Sequence, residues 1–258
     1  MRVAISAIIW ISGIILTILL FFILLLLLLI TFPFDKKRVT VNLIGVWWAD
    51  VLIKLSPRWK LRVSGLENID KRKAYVIVAN HQSLADIFVL YKIPVQFRWL
   101  AKAEFFNIPF AGWYLSLGRH IGLSKERAGG IRKAYLEAGM WLKKGISILV
   151  FPEGTRSETG EIGSFKSGAF KIAIKEKKPV LPVFISGTKD ALPKGSWIFN
   201  TRASGKLVVL PPVDTEDLKP RDFTYLRDNV YGMLKSMALP AGVIIFLYSK
   251  ILLNTCVI

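Results

Sequence analysis

The sequence has 258 residues, enough for one sizeable domain with an appendage, and 53% of them are hydrophobic, more than a soluble domain usually carries, which implies a membrane-contacting part. Lys and Arg number 36 against 18 Asp and Glu, and the resulting charge of +18 favours anionic partners, either acidic lipid or nucleic acid. The single cysteine, Cys256, excludes an intrachain disulfide framework and a cysteine-rich zinc site.

No charged residue occurs from Val3 to Phe34, and Leu19 to Ile30 is wholly Leu, Ile and Phe. A bilayer core needs about 20 apolar residues as a helix, so residues 1–34 predict a membrane helix, either spanning with tilt or half-inserted. A cleaved signal peptide fits poorly, because the apolar run is too long and no small-x-small site precedes Asp35. Only this hydrophobic N-terminus turns the choice of anionic partner toward lipid. The run Asp35-Lys36-Lys37-Arg38 follows, and by the positive-inside rule it places the rest of the chain on the cytoplasmic side. Val39 to Leu55 has helical spacing around the pair Trp47-Trp48. Residues 35–59 are therefore expected to form an interfacial helix, with packing against the following domain as the alternative.

Residues 60–237 alternate strand and helix patterns. Strands are predicted at Leu61–Gly65, Ala74–Val78, within Lys92–Leu100, and at Ile146–Phe151, Val180–Ile185 and Leu207–Leu210. Helices are predicted over Ile87–Tyr91, Ile131–Leu142 and Gly168–Lys178, the second presenting Ile131, Tyr135, Ala138 and Leu142 on one face. Lys143-Lys144-Gly145 gives that helix a basic last turn and a glycine stop. The Gly and Pro density from Ala191 to Gly205 reads as a surface loop. The alternation implies an α/β domain with a mostly parallel sheet flanked by helices. Residues 238–258 are apolar again, either a second membrane-contacting helix or a tail packed on the first.

Two stretches carry chemistry. Ala79-Asn80-His81-Gln82-Ser83-Leu84-Ala85-Asp86 follows a predicted buried strand, at the place where open α/β sheets expose reactive groups. A turn there can fold Asp86 back onto His81, fix one ring tautomer and make the other nitrogen a base. The competing reading is a helix capping box, Ser83 with Asp86, in which the carboxylate serves only backbone donors. Phe151-Pro152-Glu153-Gly154-Thr155-Arg156-Ser157 ends another strand in a turn bearing a carboxylate, a guanidinium and two hydroxyls. Arg156 offers a planar fork of donors suited to phosphate, Gly154 permits close backbone approach, and Lys166 stands just ahead of a helix start. A surface pair between Glu153 and Arg156 is the alternative.

With both stretches in view, the chain resembles the glycerophospholipid acyltransferase family, in particular its bacterial 1-acylglycerol-3-phosphate members. Asn80, His81 and Asp86 match the first motif, Phe151 to Ser157 the third, and Val180-Leu181-Pro182-Val183 the fourth, so the resemblance covers about Lys60 to Pro212. The second motif departs: Gly118-Arg119-His120-Ile121-Gly122-Leu123-Ser124 lacks the family's Asp-Arg pair, and the next cations are Lys125 and Arg127.

The resemblance implies transfer of a fatty acyl group from acyl-CoA or acyl-carrier protein to the sn-2 hydroxyl of lysophosphatidic acid. His81 would be the base and Asp86 its orienting group. Glu153, Gly154, Thr155 and Arg156, with Arg127 and Lys166, would hold the phosphate. Lys102, with backbone donors of the turn, would hold the oxyanion. Asn80, Ser83, Phe151, Pro152 and Pro182 would line the pocket, and no metal, redox cofactor or nucleic acid is implied. Acylation of another lyso-acceptor, a lysophospholipid or lyso-ornithine lipid, and a non-enzymatic protein binding anionic lipid are the rival readings.

Overall fold

The computed structural model describes residues 2–56, 58–200 and 202–238, so the apolar segment at 239–258 lies outside the described residues. Two helices come first, α1 (Arg2–Thr31) and α2 (Val39–Lys54). At 1.5 Å per residue, α1 is about 45 Å long, and it is long and apolar enough to cross a membrane. Its buried residues include Leu20, Phe21, Leu24 and Leu28, one stripe at helical spacing. That stripe meets Val41 and Ile44 of α2 and Tyr114 and Leu117 of α4 (Ala111–Leu117). The remaining circumference, including Leu19, Phe22, Leu26, Leu29 and Ile30, is exposed.

The α/β domain holds seven strands in the order β1-β7-β6-β2-β5-β3-β4. They are β1 (Trp59–Ser64), β2 (Val76–Ala79), β3 (Phe97–Lys102), β4 (Ile121–Leu123), β5 (Ser147–Val150), β6 (Val180–Ser186) and β7 (Ala203–Val209). All neighbours are parallel except β6 and β7, so the expected mostly parallel sheet carries one antiparallel pairing. Side chains alternate faces along each strand. In β2, Val76 and Val78 enter a core with α5 (Gly130–Lys143), α6 (Gly168–Lys175) and α8 (Phe223–Ala238). Tyr75, Ile77 and Ala79 enter the opposite core with α2 and α3 (Ala85–Leu90). A short α7 (Thr188–Ala191) packs near the end of β6.

Several elements differ from the sequence-based expectation. The buried face of α5 is Ala134, Ala138, Trp141 and Leu142, and Ile131 is exposed. The stripe turns that way because Trp141 stacks under Arg98 at 4.7 Å and anchors the helix to β3. The 191–205 stretch is only partly a surface loop: Ala191, Leu192 and Phe199 are buried, and β7 begins at Ala203. β4, α4 and α8 were not anticipated.

α2 packs on the domain through Val41, Gly45 and Ala49, which are buried, while Leu43 and Trp47 are exposed. Close approach at Gly45 is what seats this helix. A Cβ there would overlap the Tyr114 hydroxyl and lie 2.9 Å from Tyr91 Cε1. The Tyr114 hydroxyl cannot easily retreat, being bonded to Tyr91 Oη and Val41 O at 3.1 Å each. Gly45→Ala is therefore expected to destabilise the chain by about 1–3 kcal/mol, read as a lower Tm in detergent. An unchanged Tm would show that α2 rests loosely on the domain.

Candidate active site

β2 ends at Ala79, and the chain turns at once. Asn80, 1% exposed, fixes that turn to β6: its Nδ2 donates to Ile185 O and its Oδ1 accepts from Ile185 N, each at 2.8 Å. His81 follows, at the carboxyl end of the central strands, between β5 and β6. Its Nδ1–H donates to Asp86 Oδ2 at 2.8 Å. The same oxygen accepts the N–H of Gln82 at 2.7 Å and of Ser83 at 2.9 Å. Asp86 thus both caps α3 and orients the imidazole, so the two sequence readings describe one carboxylate. With Nδ1 protonated, Nε2 carries the lone pair, and it bonds to no protein group among the described residues.

The ring lies flat on Phe151, 3.8 Å between centroids and 9° between planes, with Trp99 behind Phe151 at 5.9 Å. The turn after β5 is stitched to the turn after β2. Glu153 Oε1 accepts His81 N–H, Oε2 accepts Gly163 N–H, both at 2.8 Å, and Ser157 N–H donates to His81 O at 2.8 Å. Burial raises the Glu153 carboxyl above its usual range, and these two backbone donors oppose that only in part.

Glu153 was expected to hold phosphate, and the geometry gives it another task. Each oxygen accepts one backbone N–H, so the carboxylate ties the turn together, and no ion pair joins it to Arg156 among the described residues. Asn80 and Ser83 were expected to line the pocket, but both are buried with their polar groups engaged. Ser83 Oγ donates to Leu192 O at 2.7 Å and accepts Ala85 N–H. Pro182 is buried inside β6, and Pro152 is buried with its carbonyl accepting Lys166 N–H. Of the five expected lining residues, Phe151 is the one that stacks on the imidazole. The N–H groups of His81, Gln82 and Ser83 are all engaged by carboxylates, which removes them as oxyanion donors.

Beside this turn the structure gathers cations. Gly154 has φ 76°, and a Cβ there would overlap the Lys166 ammonium, so the glycine lets Lys166 lie over the turn. Burial, then the charge of Lys125 and of Lys102, lowers the Lys166 ammonium below the usual lysine range. Lys102 ends β3 and Lys125 follows β4; the parallel register of Lys102 with Leu123 brings them together. Lys102, Lys125 and Arg127 line a cavity of about 750 Å³ that runs between β4 and the start of α5. The sequence names Lys125 beside Arg127 as the next cations after the altered second motif, and the phosphate role was given to Arg127. The missing signal was β4 itself, three residues long and centred on Gly122. In the same turn Thr155 is exposed and Arg156 half-buried, and Lys194 braces the backbone by donating to Arg156 O at 2.9 Å. His120 lies elsewhere, at the start of β4. Burial and the nearby Arg98 push it down to about 3, and its Nδ1 accepts Trp99 N–H, a structural role.

The family profile described as Acyltransferase matches residues 60–186. The fold matches the crystal structure of the 1-acyl-sn-glycerophosphate (LPA) acyltransferase of Thermotoga maritima with a TM-score of 0.67. Identity is 30% over 88% of this chain and 95% of that one. The chain belongs to the acyltransferase family. It is similar to a chloroplastic 1-acyl-sn-glycerol-3-phosphate acyltransferase of Arabidopsis thaliana, 34% identical over 67% of this chain and 48% of the relative. It is also 32% identical to the alpha form from Mus musculus over 66% of this chain and 61% of the relative. The chain thus spans about half to three-fifths of the length of these curated relatives.

Proposed function

We propose that this acyltransferase-family chain transfers a fatty acyl group from a thioester, acyl-CoA or acyl-carrier protein, to the sn-2 hydroxyl of 1-acylglycerol-3-phosphate, giving phosphatidic acid. The observation that carries the reading is the juxtaposition of the His81–Asp86 pair with the Lys102–Lys125–Lys166 cations across a single turn. The names of the relatives support the same acceptor. His81 Nε2 takes the hydroxyl proton as the oxygen attacks the thioester carbonyl. The C–O bond forms, the C–S bond breaks, and the imidazolium returns its proton to the departing sulfur, leaving a free thiol. Asp86 stabilises the imidazolium between those events. The cations hold the acceptor phosphate, and no step is assigned to a metal or redox cofactor.

The length and composition of α1 support membrane attachment. The helix is tied to the domain side-on along most of its length. Phe199 N–H donates to Ser6 Oγ at 2.9 Å, Trp48 Nε1–H to Thr17 Oγ1 at 2.9 Å, and Phe21 packs edge-on to Phe110. A helix held along one buried stripe leaves the rest of its apolar circumference open to lipid, and the basic run Lys36-Lys37-Arg38 after it favours the domain on the cytoplasmic side.

The test is an acceptor panel on the purified full chain, with acyl-CoA and acyl-carrier protein as separate donors. Lysophosphatidate is expected to be used at least about tenfold better in kcat/KM than lysophosphatidylcholine or a lyso-ornithine lipid. Transfer to either of those with none to lysophosphatidate would reject the acceptor. Lys166→Gln is expected to raise KM for lysophosphatidate by about 10- to 100-fold with a smaller change in kcat, one charge-assisted contact being lost. Because the Lys166 ammonium titrates below the usual lysine range, KM in the parent should climb with rising pH earlier than an ordinary lysine would allow. Lys166→Arg should remove that climb.

A further inference from the structure

The amino-terminal edge of the sheet, at the end away from His81, carries a second concentration of cations that the proposed reaction leaves unused. Arg98 is the second residue of β3 and is 1% exposed; Arg38 stands at the N-cap of α2 and is 7% exposed. Arg119, exposed, follows α4. Arg98 Nη2 donates to Lys37 O at 2.7 Å, next to Arg38 in the chain. Burial lowers the proton affinity of Arg38 and Arg98, the charge of Arg119 lowers both further, and the charge of Asp35 opposes that at each. Arg38 and Arg119 are both held in the left-handed region, φ 50° and 52°, a conformation that side chains other than glycine adopt at a penalty and that gathers at ligand clamps.

Buried cations are normally answered by carboxylates. Here the neighbouring acid, Asp35, lends its charge without a direct ion pair, because its oxygens cap α2, accepting Val39 N–H at 2.7 Å and Thr40 N–H at 2.9 Å. Phe32 covers Arg38 at 4.5 Å and Trp141 covers Arg98 at 4.7 Å. Those rings supply a face but no lone pair. Four buried donors are left without a protein partner among the described residues: Arg38 Nε and Nη1, Arg98 Nε and His120 Nε2. The last is a donor because its ring partner Nδ1 accepts Trp99 N–H. Against these four stands one buried amide oxygen without a partner, Asn42 Oδ1, on the first turn of α2. Such a set lacks an acceptor with several oxygens.

We propose that the cluster of Arg38, Arg98, Arg119 and His120, between the α1–α2 turn and the start of β3, binds a phosphate-type oxyanion. The anion is either free phosphate or the head group of an anionic phospholipid. The surroundings suit a head group: Phe32 and Phe34 are 60% and 87% exposed beside the exposed Pro33, Lys36 and Lys37. An apolar rim that dips into the acyl region carries its cations to head-group depth.

The site is independent of the acyl-transfer reading, and its test avoids the active-site cations. In a Lys125→Gln/Lys166→Gln background, the full chain in neutral detergent is titrated at constant ionic strength with inorganic phosphate. A parallel titration adds phosphatidylglycerol to the micelles, with phosphatidylcholine as the control. A saturable rise in Tm is expected, and Arg119→Gln and Arg38→Gln should each shift its midpoint about tenfold, the loss of one charge-assisted contact. Saturation by phosphatidylglycerol alone assigns a lipid head group, and saturation by phosphate alone assigns the free ion. No saturation by either anion, or equal midpoints in all three proteins, overturns the site.

Discussion

His81→Ala is expected to lower kcat for acyl transfer to lysophosphatidate by about 10²–10⁴-fold, the usual worth of a positioned general base, while KM for the acceptor stays within a small factor. The split follows from the geometry. Nε2 is the free nitrogen of a ring whose other nitrogen is held by Asp86, and the cations that would bind the phosphate sit on the other side of Gly154. Removing the ring deletes proton transfer and leaves phosphate binding in place. The residual rate is what proximity of the two bound substrates supplies without a base. The fold should survive, because the imidazole stacks on Phe151 but the turn is held by backbone groups: His81 N–H to Glu153 and Ser157 N–H to His81 O. The measurement is steady-state kinetics on the purified variant, with its thermal transition checked against the parent. Undiminished kcat would remove His81 as the base. A parent chain that turns over no lyso-acceptor at all would favour a protein that binds anionic lipid without catalysis.

How much of this was legible in the sequence depends on the length scale of each signal. The apolar run of α1 and the buried strands β2, β5 and β6 announce themselves, because long runs and β-branched repeats carry their own periodicity. The His81–Asp86 contact was foreseeable as a possibility, since five residues bridged by a turn can bring the groups together. What escaped were features set by tertiary partners. β4 has three residues and a central glycine, too little to show a period, yet it puts Lys125 beside Lys102. The rotation of α5 depends on Trp141 meeting Arg98, and no helical wheel holds that information. The part Glu153 plays in the turn escaped because its partners are backbone N–H groups of His81 and Gly163, invisible in a motif of side chains. α8 is different: Leu226, Val230 and Leu234 repeat at four-residue spacing and were there to be read. The arginine site is legible only in three dimensions, for Arg38, Arg98 and Arg119 come from three separate elements.

Asp86→Asn should separate the two tasks that Asp86 performs at one oxygen. As a cap, Oδ2 serves the N–H groups of Gln82 and Ser83; as an orienting group it holds Nδ1–H of His81. An amide of the same shape can keep its oxygen toward all three donors, but it brings no charge to stabilise an imidazolium. The side chain is wholly buried, so water cannot substitute for the lost charge. If capping were its whole role, the variant would lose about 1–3 kcal/mol of stability and would retain most of its kcat when assayed well below its Tm. With the orienting role, kcat per folded molecule is expected to fall by about 10²–10⁴-fold under the same conditions, with acceptor KM little changed. Asp86→Glu adds a second discriminator, since it restores the charge but pushes the carboxylate past the ring and the two N–H groups. It should lose stability as Asp86→Asn does, yet recover part of the lost kcat. A stability loss with unaltered kcat in both variants would reduce Asp86 to a helix cap and leave His81 without its orienting group.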